Sequence, residues 1–357
     1  MEKRTILALV LCFFVLFVWS SVFSPKDEQK PESKEQFEKE ITQGIPETPG
    51  DKTPDYQVSP RINKESSSKA IPEAEETEIE IDTPLYRAVF SNAGPTIKSF
   101  RLKKYKQTMD LNSPSIELVE LEPGMGDYFL FSFSDSPSSN REKLVYQVNR
   151  SSIHLKNDSS PEELLFSSVT SNGLLINQIY RFNPDNYSID LVIDVVNQSG
   201  NQVSGSFIAD LNVLPPQEKK SYYSFAGFVL LLNDDLEEVK IKKPSEEKTF
   251  RGNIGWVAYE DEYFISSIIQ KKESKASFEG RLLHSGILQG TYFTPQISIN
   301  PSQQVSSEYS MYFGPRDLGT LKEAGNNLAK AIDFGWTDIL AKPLLYMLRF
   351  FNNYIHN

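Results

Sequence analysis

The sequence predicts an all-β fold class, a large twisted antiparallel sandwich with one N-terminal transmembrane helix and further helices at its C-terminus. Between residues 79 and 316, apolar and polar residues alternate with a period of two in roughly fifteen short segments, as in half-buried strands. Gly, Pro, Asn and Asp residues separate these segments, which is typical of antiparallel connections. The 23 Phe and 16 Tyr residues of the chain supply apolar material for one sandwich of two large sheets.

The clearest pair of predicted strands is Leu174–Phe182 and Tyr187–Val196, joined by a turn at Asn183–Asn186. In the second of them Ile189, Leu191, Ile193 and Val195 face one way, which is the pattern of a strand with one buried face. Further strands are predicted at Thr96–Tyr105, Ile116–Leu121, Tyr128–Phe133, Leu144–Val148, Val203–Leu211, Tyr222–Leu232, Val239–Lys242, Ile254–Tyr259, Phe264–Ile269, Ser277–Leu283, Gly286–Phe293 and Gln303–Phe313.

The predicted membrane anchor is Thr5–Phe23, an apolar stretch without a charged residue. A helix of this length is about 28 Å long, close to the thickness of the hydrocarbon core. Lys3 and Arg4 precede it, and positive charge stays on the cytoplasmic side, so the rest of the chain is expected across the membrane. Trp19 and Phe23 lie near its outer end, where aromatic side chains favour the interface. A cleaved signal peptide is the alternative, but its apolar region would be shorter, about 7–15 residues.

A linker is predicted at residues 24–78, between the cytoplasmic residues 1–4 with their span and the domain at 79–316. It is rich in Glu, Lys, Pro, Ser and Gln and has few large apolar residues, so it is expected to be a disordered tether. The net charge of −11 argues against a nucleic-acid partner, because phosphate binding needs a basic surface. The only cysteine, Cys12, lies in the predicted span, which excludes an intrachain disulfide.

The period changes to 3.6 in the C-terminal segment 317–357. Leu318–Ala331 is predicted as a helix with a capping box formed by Thr320 and Glu323. A second helix at 336–356 is amphipathic, and it fits either the membrane interface or a position against the sheet. Its apolar side carries Trp336, Leu340, Leu344, Met347, Phe351 and Tyr354.

Signals of catalysis and of cofactor binding are weak, and the sequence predicts neither an enzyme nor a cofactor. His154, His284 and His356 have no partner at zinc-ligand spacing, so no metal site is expected. Acidic runs such as Glu260–Glu262 and Asp234–Asp235 are interpreted as solvated loops. The alternative is the carboxylate pair of a glycosidase, which needs a set separation across a cleft.

Three stretches resemble the YidC membrane insertases of Gram-negative bacteria. The N-terminus has a short basic start, a span and a charged linker, as in that family. Gly255–Tyr259 with Tyr263–Phe264 resembles the family's G-W-V-A and Y-F segment, and Phe313–Pro315 and Asp333–Trp336 resemble its later motifs. The motif residues are Gly255, Trp256, Val257, Gly314, Pro315, Asp333, Gly335 and Trp336.

The resemblance implies a periplasmic β-supersandwich similar to galactose mutarotases, and an interfacial position for the helix 336–356. It also implies an insertase and chaperone of the inner membrane, with membrane lipids, nascent membrane proteins, and the Sec translocon and its accessory subunits as partners. Family members continue into five further spans, so the chain is expected to be the N-terminal part of a longer protein or a truncated product. The alternatives are a membrane-anchored periplasmic carbohydrate-binding sandwich and a scaffold.

Overall fold

The computed structural model describes residues 75–332, apart from 111, 122–124, 137–140, 216–224, 242, 245 and 273. The predicted span, nearly all of the predicted linker and the predicted helix 336–356 lie outside these residues. No helix within the described part is long and apolar enough to cross a bilayer. The described part comprises the strands of the predicted sandwich and the first C-terminal helices.

The described residues form 19 strands, which confirms the predicted all-β fold class. The first ten are β1 Glu78–Asp82, β2 Tyr86–Ser91, β3 Thr96–Lys106, β4 Ser115–Glu117, β5 Phe129–Ser134, β6 Gln147–Val148, β7 Ser152–His154, β8 Glu162–Val169, β9 Leu174–Phe182 and β10 Ser188–Asn197. The others are β11 Val203–Val213, β12 Gly227–Leu232, β13 Asp235–Val239, β14 Glu247–Glu260, β15 Phe264–Gln270, β16 Lys275–Leu282, β17 Leu288–Phe293, β18 Ile297–Ile299 and β19 Gln304–Pro315.

These strands pair into two large sheets. The first runs β7-β1-β2-β3-β5-β11-β17-β16, with β4 also beside β3 and β18 beside the start of β11. The second runs β6-β8-β9-β10-β19-β15-β14-β12-β13. Pairing is antiparallel throughout the described strands except between β1 and β7, which are parallel.

Strand β14 belongs to both sheets. Its first half, Glu247–Asn253, pairs with β16 in the first sheet, and its second half pairs with β12 and β15 in the second. The first half is largely exposed, whereas Trp256–Glu260 is buried on both faces. The second half is therefore covered on both faces, and its last residue, Glu260, contacts Arg316 after β19.

The core lies between the sheets and is rich in aromatic rings. Phe313 of β19 packs against Phe100 and Phe129 of the first sheet, with ring centroids 5.0 and 5.7 Å apart. Phe90 of β2 meets Phe182 of β9 edge to face at 5.7 Å. Such pairs add about 0.5–1.5 kcal/mol each beyond the area that they bury. The predicted inward set of β10, from Ile189 to Val195, is fully buried.

Several strand predictions need correction. The strand predicted at Val239–Lys242 is wrong, because the strand lies earlier, at β13. Its sequence DLEEV is charged and mostly exposed, and it is fixed by pairing with β12 across a turn. In that turn Asn233 and Asp234 have positive φ values of 51° and 71°, as a tight hairpin requires. Strands β7, β8 and β18 were not predicted, since two are only three residues long and adjacent Leu164 and Leu165 obscure the alternation in β8.

The continuous helix predicted at Leu318–Ala331 is also wrong. The chain forms helix α1, Leu318–Ala324, and then a 3-10 helix at Leu328–Ala331. Gly325, Asn326 and Asn327 separate them with φ values of 74°, 50° and 58°, in the left-handed region. The cap is Asp317 rather than Thr320, and its Oδ1 accepts from the backbone N–H groups of Gly319 and Thr320 at 3.0 and 3.4 Å.

Candidate functional site at the C-terminal junction

Two of the sequence motifs lie in strands β14 and β19, which flank β15 on its two sides. Trp256 of β14 pairs with Ile269 of β15, and on the other side of β15 Phe264 pairs with Pro315. Gly255, Trp256 and Val257 are nevertheless offset along the sheet from Gly314 and Pro315, because Ile269, the partner of Trp256, pairs on its other side with Ser310. The other motif residues, Asp333, Gly335 and Trp336, lie outside the described residues, as do Lys3, Arg4, Trp19, Phe23, Leu340, Leu344, Met347, Phe351 and Tyr354.

The two motif glycines allow close packing. A Cβ at Gly314 would lie 2.9 Å from Tyr187 Cγ, and a Cβ at Gly255 would lie 3.1 Å from Leu231 Cδ2. The tyrosine atom belongs to a rigid ring base, whereas the leucine methyl is the end of a flexible side chain. The requirement for glycine is therefore stricter at position 314, where strand β19 approaches Tyr187.

A buried ion pair lies where these strands end. Arg316 Nη2 lies 3.0 Å from Glu260 Oε1, and Arg316 Nε donates to Glu260 Oε2 at 3.1 Å. Two parallel contacts of this kind fix the guanidinium and carboxylate planes relative to each other. The side chain of Glu260 is only 4% exposed. The interpretation of Glu260–Glu262 as a solvated loop is therefore wrong for Glu260, and the sequence reasoning also missed Arg316.

Burial raises the pKa of Glu260 to about 7, while the positive charge and hydrogen bond of Arg316 act in the opposite direction. The nearby carboxylates of Glu238 and Asp261 add to the rise. Removing a carboxylate from water is costly, and one guanidinium partner offsets only part of this cost. The carboxyl group of Glu260 therefore gains or loses its proton near neutral pH, and its ion pair with Arg316 changes with it.

Arg316 also holds the chain on either side of helix α1. Its backbone N–H donates to the carbonyl of Tyr263 at 2.7 Å, and its Nη2 donates to the carbonyl of Ala331 at 2.8 Å. Lys330 Nζ donates to the carbonyl of Asp234 at 2.8 Å, in the β12–β13 turn. We call Glu260, Arg316 and the carbonyl of Ala331 the junction clamp. The clamp ties the 3-10 helix to the end of β14, and so fixes the point from which the chain continues beyond residue 332.

A second candidate site is a cleft of about 910 Å³ at the other end of the sandwich. Ser, Thr, Asn and Gln side chains line much of it, together with charged groups and Leu130, Leu144 and Leu174. Arg141 Nη1 donates to Ser132 Oγ at 2.8 Å, and its Nη2 forms an ion pair with the buried Asp210. Burial raises the pKa of Asp210, and Arg141 opposes the rise. The volume is in the range of small-ligand sites.

The described residues contain no group of three His, Cys, Asp or Glu side chains that could hold a metal ion. His154 is exposed in β7, and His284 is exposed in the turn after β16. The sequence motifs did not point to Arg141 or Asp210. A signal for Glu260 was available, because Trp256, Ala258 and Glu260 continue the alternation on one face of β14.

Fold and junction together define a class of protein: a large β-sandwich module whose C-terminal helices are clamped to the end of its central strands. Residues 78–347 match the family model described as the YidC periplasmic domain, and the chain belongs to the YidC family. It is 31% identical over 360 residues to a protein of Geobacter metallireducens named membrane protein insertase YidC, and 32% identical over 367 residues to one of Syntrophus aciditrophicus with the same name. All of the chain is covered in both cases, but only 65% and 67% of these relatives.

Solved structures of sugar enzymes resemble the chain at much lower sequence identity than the insertase relatives. A galactose mutarotase related enzyme from Lactobacillus acidophilus is 9% identical, with a TM-score of 0.47 over 66% of this chain and 97% of that one. A putative aldose 1-epimerase from Escherichia coli is 11% identical, with a TM-score of 0.44 over 68% of this chain and 100% of that one.

Proposed function

We propose that this chain is part of a membrane protein insertase and chaperone that inserts and helps to fold proteins of the inner membrane. The observation that carries the proposal is the family match over residues 78–347, together with relatives named as insertases. The sandwich serves as the periplasmic part. The stretch Thr5–Phe23 anchors it with the N-terminus in the cytoplasm, through Lys3 and Arg4 on one side and Trp19 and Phe23 on the other.

The mechanism is binding and partitioning, without covalent chemistry. An unpaired backbone group costs several kcal/mol in hydrocarbon, so an insertase must lower this cost for polar segments of its substrate. The described part contributes position. The junction clamp fixes where the chain leaves the sandwich, and the motif residues Asp333, Gly335 and Trp336 come directly after it. The helix 336–356 then lies at the membrane interface, with its apolar side, which carries Trp336 and Tyr354, towards the lipid.

The proposal is tested first by the reading frame after codon 357 of the natural gene. An open frame that encodes further apolar spans is expected, and depletion of that gene product should leave a single-span inner-membrane protein accessible to protease from the cytoplasmic side only. A stop codon at this point in the natural gene, or normal insertion after depletion, would contradict insertase activity.

The topology is tested by alkaline phosphatase fusions to the same gene. A fusion after residue 332 should be active, because the enzyme folds only outside the cytoplasm, and a fusion after residue 4 should be inactive. The reverse result would overturn the orientation. Co-purification of Sec translocon subunits with the full chain from detergent extracts would support the proposed partnership, and their absence after crosslinking would remove it.

The polar cleft favours carbohydrate binding as a second candidate function. Hydroxyl and amide side chains around a buried Arg141–Asp210 pair can exchange hydrogen bonds with sugar hydroxyls. Calorimetry of the full chain in detergent should then detect binding of soluble glycan fragments at micromolar affinity. Ser204→Val, which alters the cleft away from the ion pair, should weaken it several-fold. No heat above the dilution blank for any glycan class would remove this candidate.

A further inference from the structure

The two ends of strand β3 carry different parts of the chain. β3 has 11 residues, from Thr96 to Lys106, and is about 35 Å long at the rise of a strand. Glu78 pairs with Ser91 of β2, and Ser91 pairs with Thr96. The chain therefore enters the sandwich at the Thr96 end. The polar cleft lies at the same end, because Gly94 and Asn172 both line it.

The chain leaves the sandwich at the opposite, Lys106 end. Tyr105 packs edge to face on Phe264, with ring centroids 5.6 Å apart, and Phe264 pairs with Pro315 just before helix α1. A cavity of about 200 Å³ is lined jointly by Tyr105 and by Thr320 of α1, so the helix also lies at this end. The junction clamp brings Ala331 back to Arg316, and the residues beyond 332 depart from there.

This end also carries the exposed apolar side chains. In the part of the chain that the structure describes, Met109 and Tyr263 are the large hydrophobic residues left exposed, at 105% and 58%. Tyr263 directly precedes Phe264. Met109 follows Tyr105 by four residues, in the loop between β3 and β4, and so lies within about 14 Å of it. Lys104 and Lys106 are exposed at the same end of β3, and Lys104 lines the small cavity together with Asp185 and Glu323.

We propose that the Lys106 end of the sandwich rests on the surface of the lipid bilayer, with Met109 and Tyr263 in the interface and Lys104 and Lys106 beside the lipid phosphates. The inference deepens the proposed function, because it assumes that the chain is membrane-anchored. A tyrosine favours the interface, and lysine stems can lie along apolar surface while the ammonium group stays in water.

Local charge decides how this contact works. Asp110 and Glu262 flank the two apolar residues, and the whole chain carries a net charge of −11. General electrostatic adhesion to anionic lipid is therefore not the source of the contact. Instead, Met109 and Tyr263 insert into the bilayer interface and hold the sandwich against it. The membrane anchor keeps the sandwich close to the lipid, at the high local concentration that a weak contact needs.

The test measures the distance of each end from the lipid. The single cysteine is removed by Cys12→Ser in the full chain, and a fluorophore is attached through Met109→Cys or, as the matched control, Asn172→Cys in the β8–β9 turn. Each labelled chain is reconstituted into vesicles of phosphatidylethanolamine and phosphatidylglycerol that contain a headgroup quencher. Quenching should be several-fold stronger for Met109→Cys than for Asn172→Cys.

A further variant tests the side chains themselves. With the label moved to Gln107→Cys, an exposed position outside the proposed contact, the substitutions Met109→Ser and Tyr263→Ser should reduce quenching at least twofold. Equal quenching at the two ends in chains that float with the vesicles would overturn the inference and leave the proposed function intact. Chains that do not float would instead contradict the membrane anchor, and with it both proposals.

Discussion

At the scale of the residue, Glu260 is the side chain whose environment departs most from its sequence context. It stands in the acidic run Glu260–Glu262, yet it is buried and paired with Arg316. Its two neighbours have other roles: Asp261 Oδ1 accepts from the backbone N–H groups of Tyr263 and Phe264 at 2.7 Å, and Glu262 is exposed. Glu260 is the last residue of β14 and belongs to the junction clamp, whereas the residues directly after it lie in a turn and on the surface.

The raised pKa of Glu260 predicts a specific pH dependence of stability. A glutamate in the unfolded chain titrates near 4.5, and Glu260 in the folded protein titrates at about 7. Between these values the folded protein keeps a proton that the unfolded chain has lost. The free energy of unfolding therefore falls as the pH rises through this window and levels off above it. Glu260→Gln should reduce this fall by on the order of 2 kcal/mol, as measured by urea unfolding across the window.

The matched control is Glu262→Gln, which removes a neighbouring but exposed carboxylate. Its pH profile should run parallel to that of the unmodified protein. A profile of Glu260→Gln that is also parallel would show that Glu260 does not titrate in this window. Arg316→Leu should destabilise the protein by about 3 kcal/mol or more above neutral pH, because it leaves a buried carboxylate unpaired.

The two motif glycines give a second prediction at this scale. Gly314→Ala should cost about 1–3 kcal/mol, because the new methyl group meets the base of the Tyr187 ring at 2.9 Å. Gly255→Ala should cost clearly less, because Leu231 can rotate its methyl group away. Thermal unfolding of both variants checks the order. Equal losses, or a larger loss at Gly255, would contradict the steric explanation.

At the scale of the element, helix α1 depends on its cap. The helix has seven residues, too few to be stable without packing and capping. Asp317 Oδ1 receives two backbone N–H groups, and its Oδ2 accepts from the Thr320 hydroxyl, so one side chain organises the first turn. Buried Leu318 and Leu321 attach the same turn to the sandwich.

Asp317→Ala should therefore destabilise the protein by about 1 kcal/mol. Glu323→Ala tests the capping box that the sequence predicted, and it should change stability by less than about 0.5 kcal/mol, because Asp317 holds the cap. Hydrogen exchange of residues 318–324 should rise in the first variant and stay constant in the second. The opposite result would restore the capping box.

At the scale of the whole molecule, the chain enters and leaves the sandwich at opposite ends of β3. If the Lys106 end rests on the membrane, residue 78 lies about 35 Å from the lipid. The stretch 24–77 must cover this distance, which needs at least about 10 extended residues. Its length is therefore in excess of what the geometry requires.

Deletion of residues 31–60 should accordingly leave the quenching of the Met109→Cys label unchanged, because more than 20 residues remain, about twice the need. Deletion of residues 26–72 leaves too short a chain and should reduce that quenching, since the sandwich must tilt. Equal quenching in both deletions would contradict the proposed orientation.

The sequence by itself determined the features that depend on local periodicity. Alternation placed β9 and β10 almost to the residue and identified the buried set from Ile189 to Val195, because each strand must show one apolar face to a core. Motif order was also sufficient for the family. Short or charged strands such as β7 and β13 carry no such pattern, because their neighbours rather than their own residues hold them in place.

Only the tertiary structure decided which polar residues form sites. Glu260 and Arg316 are 56 positions apart, and Arg141 and Asp210 are 69 apart. No local pattern records such pairings, because they arise from the order of strands in two sheets. The same strand order sends the two exposed apolar residues and the departing chain to one end of β3, and the cleft to the other. Periodicity says which face of a strand is buried, whereas topology alone says what lies against that face.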